Sequence, residues 1–354
     1  MKTAPPGIGE ALTAWYDHHA RILPWRSQPT PYHVWISEIM LQQTRVEAVK
    51  GYYDRWMEAL PDVETLSRVS DETLMKLWEG LGYYNRARNI KEAARTIMDR
   101  FAGEIPAGYD DLLSLKGIGE YTAGAISSIA FGRARAAVDG NVLRVFSRLL
   151  AEDGDIRKTK VKKDLEREVV RVMPSERPGD YNQALMDLGA TVCLPRGKPL
   201  CDRCPWEPVC QARKLGREED FPARKEKKAR RIEDRAVLIM EYGNRILLHK
   251  RPGKGLLAGL WEYPNMEGVY TVEKVEELLE TQGIRDFDLI SLGEGKHIFS
   301  HVEWHMTGYR VRLRRLNDRI RERLAGEKDW ILVTPEELKE DYAVPSAFSM
   351  FTVI

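Results

Sequence analysis

Apolar residues recur at helical spacing through the first 215 residues of the chain. Between His33 and Leu60 the repeating positions are Val34, Ile39, Val46, Val49, Tyr53 and Trp56. This spacing places them on one face of a helix, where neighbouring helices can bury them. Glycine, proline and aspartate residues separate the later helices. Those later helices are predicted over 71–81, 86–101, 109–115, 121–131, 142–151, 161–173 and 182–193.

The pattern changes after Cys210. Residues 216–234 are rich in charge and include the basic run 224–231, which predicts an exposed linker. From Arg235 the apolar residues alternate as in strands. Strands are predicted over 236–241, 245–249, 297–302, 305–313 and 330–333, with a helix over 272–281. The sequence therefore predicts an all-α domain over 1–215 and a mixed α/β domain, built on antiparallel pairing, over 235–354.

Composition limits the functional classes. The 354 residues are enough for two domains that each have a core. With 55 basic and 54 acidic side chains the net charge is +1, so any nucleic-acid surface must be local. No apolar run reaches membrane-spanning length, and residues 1–10 lack the apolar core of a signal peptide. We expect a soluble, cytoplasmic monomer with no membrane partner.

Residues 115–145 combine a glycine turn with an isolated acid. Leu115-Lys116-Gly117-Ile118-Gly119 opens directly into a helix of small residues, and Asp139 follows that helix. Glycines let the backbone approach a ligand closely, and the first amides of a helix suit a phosphate. The pattern favours chemistry on a nucleic acid. An ordinary corner between two helices, with Asp139 as a cap, is the alternative interpretation.

All four cysteines lie close together, at the spacing Cys193-x7-Cys201-x2-Cys204-x5-Cys210. In a reducing compartment such a group is more typical of a metal site than of disulfides. Four thiolates on one short loop suit a [4Fe–4S] cluster, and a tetrahedral zinc ion is the alternative. A bound metal would also fix the intervening loop, whose cations Arg196 and Lys198 could then meet phosphate at lower entropic cost.

Several motifs spread over nearly the whole chain carry a resemblance to a known family. They are the segments 23–26, 35–44, 79–84 and 138–142, the glycine hairpin and the cysteine loop. Together they resemble the iron–sulfur helix-hairpin-helix DNA glycosylases, and among these the MutY family. The family has six residues between the first two cysteines, whereas this chain has seven. We expect the extra residue to bulge the loop near Gly197 and to leave all four ligands in place.

The resemblance implies a monofunctional glycosylase that cleaves the bond between adenine and its sugar. Glu38 matches the acid that protonates adenine N7, and its apolar helix is expected to raise its pKa. Asp139 matches the carboxylate that stabilises or traps the sugar cation, with Asn141 and Tyr121 beside it. Endonuclease III-like members carry a lysine at the position of Tyr121, and tyrosine cannot form a Schiff base.

The resemblance also implies the residues that bind DNA. The target base must leave the duplex, at a cost of roughly a few kcal/mol. Gln43 and Tyr83 match the positions that wedge into the vacated stack, and Arg26 matches a residue that lines the adenine pocket. The residues expected to contact the phosphate backbone are Lys116, Gly117, Gly119, Arg196 and Lys198.

The second domain resembles the Nudix fold in residues 245–251 and 255–264. Its Nudix box is incomplete, because Glu276 stands where an arginine belongs and Thr281 stands where a glutamate belongs. Gly268 likewise occupies the upstream glutamate position. Too few carboxylates remain to bind magnesium, so we do not expect a pyrophosphatase.

The second domain of the MutY family instead implies recognition of 8-oxoguanine, through the motif present here as Phe299-Ser300-His301. Oxidation turns guanine N7 into an N–H donor and adds an O8 acceptor. A hydroxyl such as that of Ser300 can bond either group. Thr44 and Leu81 are expected to flank the same base.

These residues imply a base-excision repair enzyme whose partner is double-stranded DNA with adenine opposite 8-oxoguanine, or opposite guanine. It would release adenine and leave an abasic site, working on the nucleoid if the source is a prokaryote. One alternative is a mismatch glycosylase of the same fold that removes thymine or uracil. The other is a lesion-binding protein without catalysis.

Overall fold

The structure is a computed structural model that describes residues 3–223 and 229–351. The chain divides into two compact units. The first comprises Met1–Arg68 and Arg88–Lys227, and the second comprises Val69–Ala87 and Lys228–Ile354. The second unit therefore takes a short segment from the middle of the helical region. Among the described residues no helix is long and apolar enough to cross a membrane.

The first unit is helical, as the sequence predicts. Its helices before the break in the unit are α1 (Ile8–His19), α2 (Pro24–Ser27), α3 (Pro31–Leu41), α4 (Val46–Ala59) and α5 (Val63–Arg68). Those after it are α7 (Asn85–Phe101), α8 (Tyr109–Ser114), α9 (Glu120–Ala125), α10 (Gly140–Leu150), α11 (Thr159–Arg171), α12 (Pro178–Thr191) and α13 (Gln211–Leu215). Polar caps begin several of them, since a side-chain oxygen satisfies an amide that lacks a helical partner. Thr30 caps α3 in this way, and Asp139 caps α10.

Two of the predicted helices are interrupted. The apolar pattern over 33–60 predicts one continuous segment, but α3 and α4 are separated at Gln43, whose φ of 58° is left-handed. The segment predicted as a helix over 121–131 consists of α9 followed by a π-helical stretch, Ile126–Ala130. Gly124 in α9 packs directly on backbone, because a Cβ there would lie 2.2 Å from the carbonyl oxygen of Ala136.

Helices α10 and α12 supply much of the core of the first unit. Phe146, Leu185 and Leu188 are fully buried in it together with Leu12 of α1. The same cluster includes Trp206 of the cysteine loop, whose ring packs edge-on against Phe146. Burial of the apolar face of α10 thus fixes the position of the helix that Asp139 caps.

The second unit is built on a seven-stranded mixed sheet. Its strands are β1 (Arg231–Tyr242), β2 (Arg245–Lys250), β3 (Trp261–Glu262), β4 (Asn265–Glu267), β5 (Phe287–Ile298), β6 (Val302–Leu313) and β7 (Trp330–Val333). The strand order is β3-β2-β1-β6-β5, with β4 also paired to β1 and β7 to β2. Its helices are α6 (Asp71–Leu77), α14 (Val272–Thr281), α15 (Asp318–Gly326) and α16 (Pro335–Glu340).

Three features of this unit differ from the sequence-based expectation. The long central pair, β1 with β6, is parallel from Arg231↔Val302 to Tyr242↔Leu313, so the sheet is not built on antiparallel pairing alone. The strand predicted over 297–302 is a strand end and a turn, because the amide of Phe299 donates to the carbonyl of Val302 at 2.9 Å. The predicted linker 216–234 overlaps β1, and residues 224–228 of its basic run lie outside the described residues.

Candidate active site

A cavity of about 680 Å³ in the first unit is lined by all four of the catalytic residues predicted from the sequence. It is formed by α2, α3, the start of α10 and one face of α12. Lys116, Gly117 and Gly119 of the hairpin are not among its lining residues. The predicted residues that line it are Arg26, Glu38, Gln43, Thr44, Tyr121, Asp139 and Asn141.

Glu38 lies on α3, and its apolar helix neighbours place it in the interior. The residue is only 5% exposed, between buried Trp35 and Ile39 of the same helix. Desolvation raises the pKa of its carboxyl to about 7 from an ordinary 4.5, and the negative charge of Asp139 adds to the rise. The Tyr121 hydroxyl and Arg26 act in the opposite direction. Glu38 therefore holds a proton at a pH where an exposed glutamate does not.

Asp139 is the N-cap residue of α10, and hydrogen-bond donors reach both of its oxygens. The amide of Val142 donates to Oδ1 at 2.8 Å, and Nδ2 of Asn141 donates to Oδ2 at 2.8 Å. These two bonds fix the carboxylate at the wall of the cavity. The capping role that is the alternative interpretation of Asp139 is thus real, and it coexists with a place in the cavity.

Tyr121 lies at the start of α9 and faces the acid. Its hydroxyl donates to Oε2 of Glu38 at 2.6 Å and lies 3.8 Å from Sδ of Met186. Burial raises the pKa of the Tyr121 hydroxyl well above its usual value, with the nearby carboxylates adding to the effect. Tyr121 therefore remains a neutral donor to Glu38.

Arg144, which sequence reasoning missed, joins Asn141 to the cysteine loop. Its Nη1 donates to Oδ1 of Asn141 at 3.0 Å, and its Nε donates to the carbonyl of Cys193 at 3.0 Å. Nη2 donates to the carbonyl of Gly189 at 2.7 Å. In the sequence, only the three-residue spacing of Asn141 and Arg144 on α10 could have indicated that these two side chains meet. The carbonyl groups that Arg144 also binds belong to Cys193 and Gly189, which are distant in the chain.

Asp187 is a second residue that the sequence did not reveal. Its carboxylate is completely buried and accepts two bonds from Arg26, each of 2.8 Å, and one of 2.7 Å from Nε of Arg21. Desolvation raises its pKa, but hydrogen bonds and charge from Arg26 and Arg21 outweigh that effect, so the pKa is lowered. Asp187 thereby fixes Arg26 in the cavity wall. Gln183, one turn earlier on α12, lines the same cavity.

The predicted wedge residue Gln43 follows α3 and is exposed. Its backbone φ of 58° is a conformation that costs a residue with a side chain roughly 1 kcal/mol or more. Tyr83, in the second unit, has φ of 49° and is 48% exposed. Both predicted wedge residues therefore have strained backbone and accessible side chains.

The glycine hairpin joins α8 to α9. Gly117 has φ of 78°, and a Cβ there would lie 2.8 Å from the Cβ of Asn89, so both conformation and space require glycine. Gly119 is the N-cap residue of α9 and faces open space. Lys116 is exposed beside them. The hairpin thus presents backbone that other groups can approach closely.

In the second unit the Phe299-Ser300-His301 turn connects β5 to β6. Phe299 packs on Trp304, with ring centroids 4.9 Å apart, while Ser300 and His301 are exposed. The hydroxyls of Ser300 and Tyr83 form a short hydrogen bond. Phe299 therefore anchors the turn and leaves the two polar side chains outside.

The segment 69–87, which carries Leu81 and Tyr83, is fastened to the rest of the second unit. Lys76 of α6 donates to the carbonyls of Leu338 and Tyr342 at 3.3 and 3.2 Å. Oε1 of Glu79 accepts from the amide of Val344 at 2.8 Å. The side chain of Leu81 is buried at 6% exposure, so Tyr83 is the exposed apolar residue of this loop.

The four cysteines form one group of free thiols beside α10. Burial raises the pKa of Cys204 to about 12 and that of Cys201 to about 11, and the neighbouring thiols add to both shifts. Nη1 of Arg148 lies 3.3 Å from Sγ of Cys193. Gly197, near the extra residue of the loop, has φ of 69°. In the described part of the chain no three cysteine, histidine or acidic side chains converge as a single metal ion requires.

The acids that align with the Nudix box do not form a site. Glu276, Glu277 and Glu280 are exposed on α14. The described residues contain no grouping of three acidic side chains for a metal ion in this unit.

Comparison with known proteins identifies the family. The model of the HhH-GPD superfamily of base excision DNA repair proteins matches residues 36–171, and a NUDIX domain model matches residues 235–351. The solved structure of a thermostable thymine-DNA glycosylase superposes with a TM-score of 0.53 at 29% identity, over 59% of this chain and 95% of that one.

Two relatives extend the match across both domains. The adenine DNA glycosylase of Homo sapiens is 37% identical, over 83% of this chain and 64% of the human protein. The chain thus spans less than two thirds of that longer relative. The adenine DNA glycosylase of Buchnera aphidicola subsp. Baizongia pistaciae is 34% identical, over 83% of this chain and 82% of that protein. The chain therefore belongs to the adenine DNA glycosylase (MutY) family, helix-hairpin-helix glycosylases with a Nudix-like second domain.

Proposed function

We propose that this chain is a monofunctional adenine DNA glycosylase of base excision repair, which removes adenine mispaired with 8-oxoguanine, and also with guanine. The observation that carries the proposal is the pairing of two unlike carboxyl groups in one cavity. Glu38 is buried, with its pKa raised to about 7, whereas Asp139 is held by an amide and by Asn141. Two carboxyl groups in contrasting surroundings are the arrangement that glycosidic bond cleavage uses.

The reaction assigns one role to each carboxyl group. Glu38 gives its proton to N7 of the adenine, and the C1′–N9 bond then breaks with its electron pair moving into the base. The sugar becomes an oxocarbenium ion, which the carboxylate of Asp139 stabilises. Water bonds to C1′ and loses a proton to the carboxylate of Glu38. The products are free adenine and an abasic site, and Glu38 recovers its proton.

The remaining groups of the cavity support this assignment. Tyr121 offers a neutral hydroxyl, so it can orient Glu38 but cannot form a Schiff base that would cut the strand. Arg26, fixed by Asp187, supplies rigid donors at the wall where the extrahelical base would lie. Water is displaced when the base enters, which strengthens each of these electrostatic interactions.

Specificity for the opposite base is assigned to the second unit. The Ser300 hydroxyl can accept from N7–H or donate to O8 of 8-oxoguanine, and it is exposed at the tip of the β5–β6 turn. Its hydrogen bond to Tyr83 supports a coupling between recognition of that base and insertion of the wedge residue. Thr44 and Leu81 remain candidates for flanking the base, although the buried side chain of Leu81 favours a role in supporting Tyr83.

We also propose that Cys193, Cys201, Cys204 and Cys210 hold a [4Fe–4S] cluster. The support comes from Cys204, whose pKa the other three thiols raise in addition to burial, and from Arg148 beside Cys193. In a cluster each thiolate binds a different iron, so the four sulfurs need not converge on one ion as they must around zinc. A bound cluster would brace the loop that carries Arg196 and Lys198 against α10, and it has no part in the chemical step. Equal amounts of iron and acid-labile sulfide in purified protein are expected; stoichiometric zinc without sulfide would reject this assignment.

A single-turnover excision assay tests the function. Duplexes would carry one A:8-oxoguanine, A:G, T:G or U:G mispair, with base release as the readout. Asp139→Asn is expected to lower adenine release by at least roughly 1,000-fold, while retaining binding to the A:8-oxoguanine duplex. Asp62→Asn is the matched control. Oδ1 of Asp62 also accepts a hydrogen bond from an amide in the first turn of a helix, that of Thr65 at 2.8 Å, but Asp62 does not line the cavity.

Three outcomes would overturn the proposal. Full activity of Asp139→Asn would remove the assigned role of that carboxylate. Preferential release of thymine or uracil would favour a mismatch glycosylase of the same fold. Lesion binding by the unaltered protein without any base release would leave a non-catalytic recognition protein.

A further inference from the structure

A second cavity, of about 410 Å³, lies within the second unit. It is formed between β1 and β2 on one side and α14 and α15 on the other. None of Phe299, Ser300 and His301 lines it. The cavity is therefore separate from the turn assigned to 8-oxoguanine.

The cavity is also separate from the place a Nudix metal site would occupy. Helix α14 lines it through Leu278 and Leu279, with Gln282 just beyond the helix end. The box-like acids Glu276 and Glu280 lie on the opposite face of the helix, given its 3.6-residue period. The only carboxylate among the described lining residues is that of Glu262, and it is paired with Arg251 at 2.6 Å.

The interior of the cavity is apolar and its rim is cationic. Its apolar lining includes Leu238, Met240, Leu247, Leu279 and Ile320, which also belong to the buried core of the second unit. Such a lining suits a flat, uncharged ring system, because burial of apolar surface stabilises it by about 25 cal/mol per Å².

Four arginines line the cavity, and two of them have no counter-charge. Arg235 pairs with Glu233 at 2.9 Å, and Arg251 pairs with Glu262. Arg319 and Arg323 lie one turn apart on α15, and no carboxylate of the described residues forms an ion pair with either. The cavity therefore has an excess of positive charge at the α15 side.

Trp330 holds one of these cations in place. The guanidinium of Arg323 lies 4.6 Å from the centroid of the Trp330 ring. The centroid of the His249 ring also lies 4.6 Å from the centroid of the Trp330 ring. A guanidinium stacked on an aromatic ring loses less side-chain entropy when it binds an oxyanion. The structure thus combines an apolar slot, an aromatic wall and a preoriented cation.

We propose that this cavity binds a nucleoside monophosphate, or an organic phosphate of the same size, without hydrolysing it. The ring of the ligand fills the apolar slot, and the phosphate accepts hydrogen bonds from Arg319 and Arg323. A volume near 400 Å³ accommodates one such ligand and is within the range of small-molecule sites. No hydrolysis is expected, because the lining lacks carboxylates free to hold a metal ion.

Isothermal titration of the 354-residue chain with AMP, GMP and UMP tests the proposal, with adenosine and inorganic phosphate as partial ligands. We expect saturable binding of at least one nucleotide at one site per chain. Replacing both Arg319 and Arg323 by alanine should weaken it by roughly tenfold or more, since each charged hydrogen bond is lost. Arg321→Ala is the matched control, because Arg321 lies on the same helix between them and does not line the cavity.

Adenine nucleotides can also enter the cavity of the first unit, so the arginine variants decide the location. Binding that is lost in the Arg319/Arg323 double variant and kept in Arg321→Ala supports the proposal. No saturable binding at millimolar nucleotide overturns it, as does binding that the double variant leaves unchanged. Equal affinity for inorganic phosphate and for the nucleotides would reduce the cavity to a simple anion site and also overturn it. Equal thermal unfolding midpoints of the two variants exclude misfolding as the cause.

Discussion

The Tyr121 hydroxyl donates a 2.6 Å hydrogen bond to Oε2 of Glu38, the residue proposed to protonate the leaving base. The family resemblance places this tyrosine at the position where endonuclease III-like members are expected to carry a lysine. Instead of offering a nucleophile, this position holds a neutral donor against a buried carboxyl group. The bond lowers the pKa of Glu38, in opposition to the larger effect of burial.

Tyr121→Phe is expected to raise the pKa of Glu38 further, because the variant keeps the burial and loses the donor. Excision that requires protonated Glu38 declines as pH rises through that pKa. The alkaline limb of the single-turnover rate profile should therefore move to higher pH, by up to about one unit. Tyr109→Phe serves as the control, since Tyr109 does not line the cavity. An alkaline limb that stays in place in Tyr121→Phe would contradict the assignment of Glu38 as the acid.

Glu38→Gln should abolish excision yet stabilise the protein above neutral pH. The folded-state pKa of about 7 exceeds the ordinary 4.5, so between these values the folded protein retains a proton that the unfolded chain releases. The free energy of unfolding of the unaltered protein must then fall as pH rises through this range. Glutamine carries no such cost, so the variant should be more stable by about 1–3 kcal/mol near pH 8 and equal near pH 4.

Denaturant unfolding at the two pH values measures this difference. Glu47→Gln is the control, because the Glu47 side chain is 81% exposed and should show no comparable pH-dependent gain. If the Glu38→Gln variant is less stable than the unaltered protein near pH 8, then burial of the ionised Glu38 carboxyl does not lower the free energy of unfolding, and the prediction is wrong.

Asp187→Asn should both destabilise the first unit and weaken the adenine site. The buried carboxylate holds Arg26 and Arg21, and asparagine leaves two cations without their counter-charge. Loss of one member of a buried ion pair costs about 3–5 kcal/mol, and the partial exposure of Arg21 reduces this to about 2–4 kcal/mol. Asp180→Asn, at an ion pair that is 40% exposed, should cost less than about 1 kcal/mol. Comparable unfolding free energies for the two variants would show that Asp187 has no special role.

Ser300 and Tyr83 should act together in choosing the opposite base. Ser300→Ala is expected to reduce the preference for A:8-oxoguanine over A:G, because the hydroxyl that meets N7–H or O8 is gone. Tyr83→Phe keeps the wedge but loses the hydrogen bond to Ser300. A double-mutant cycle on the ratio of excision rates should give a coupling of about 0.5–1.5 kcal/mol. Strictly additive effects would refute the coupling. Ser349→Ala is the control, because the Ser349 hydroxyl donates to the backbone carbonyl of Ser346.

The sequence determined the parts of this protein that local patterns specify. Helical spacing of apolar residues identified the first unit, and alternating apolar residues identified the neighbouring strands β1 and β2. Helix 272–281 and strand 330–333 have in the structure the bounds that the pattern predicts. The cysteine spacing and the glycine hairpin depend on short stretches of chain, so they too are visible without coordinates.

Only the tertiary structure decided which distant residues meet. The ion pair of Asp187 with Arg26 joins residues far apart in the chain, and so does the parallel pairing of β1 with β6. Segment 69–87 likewise belongs to the second unit, although the rest of that unit begins at residue 228. No local period records such partners, because burial and ion pairing depend on the packed environment. For the same reason the sequence named Glu38 and Asp139 through family resemblance, whereas the raised pKa of Glu38 follows from its burial beside Asp139.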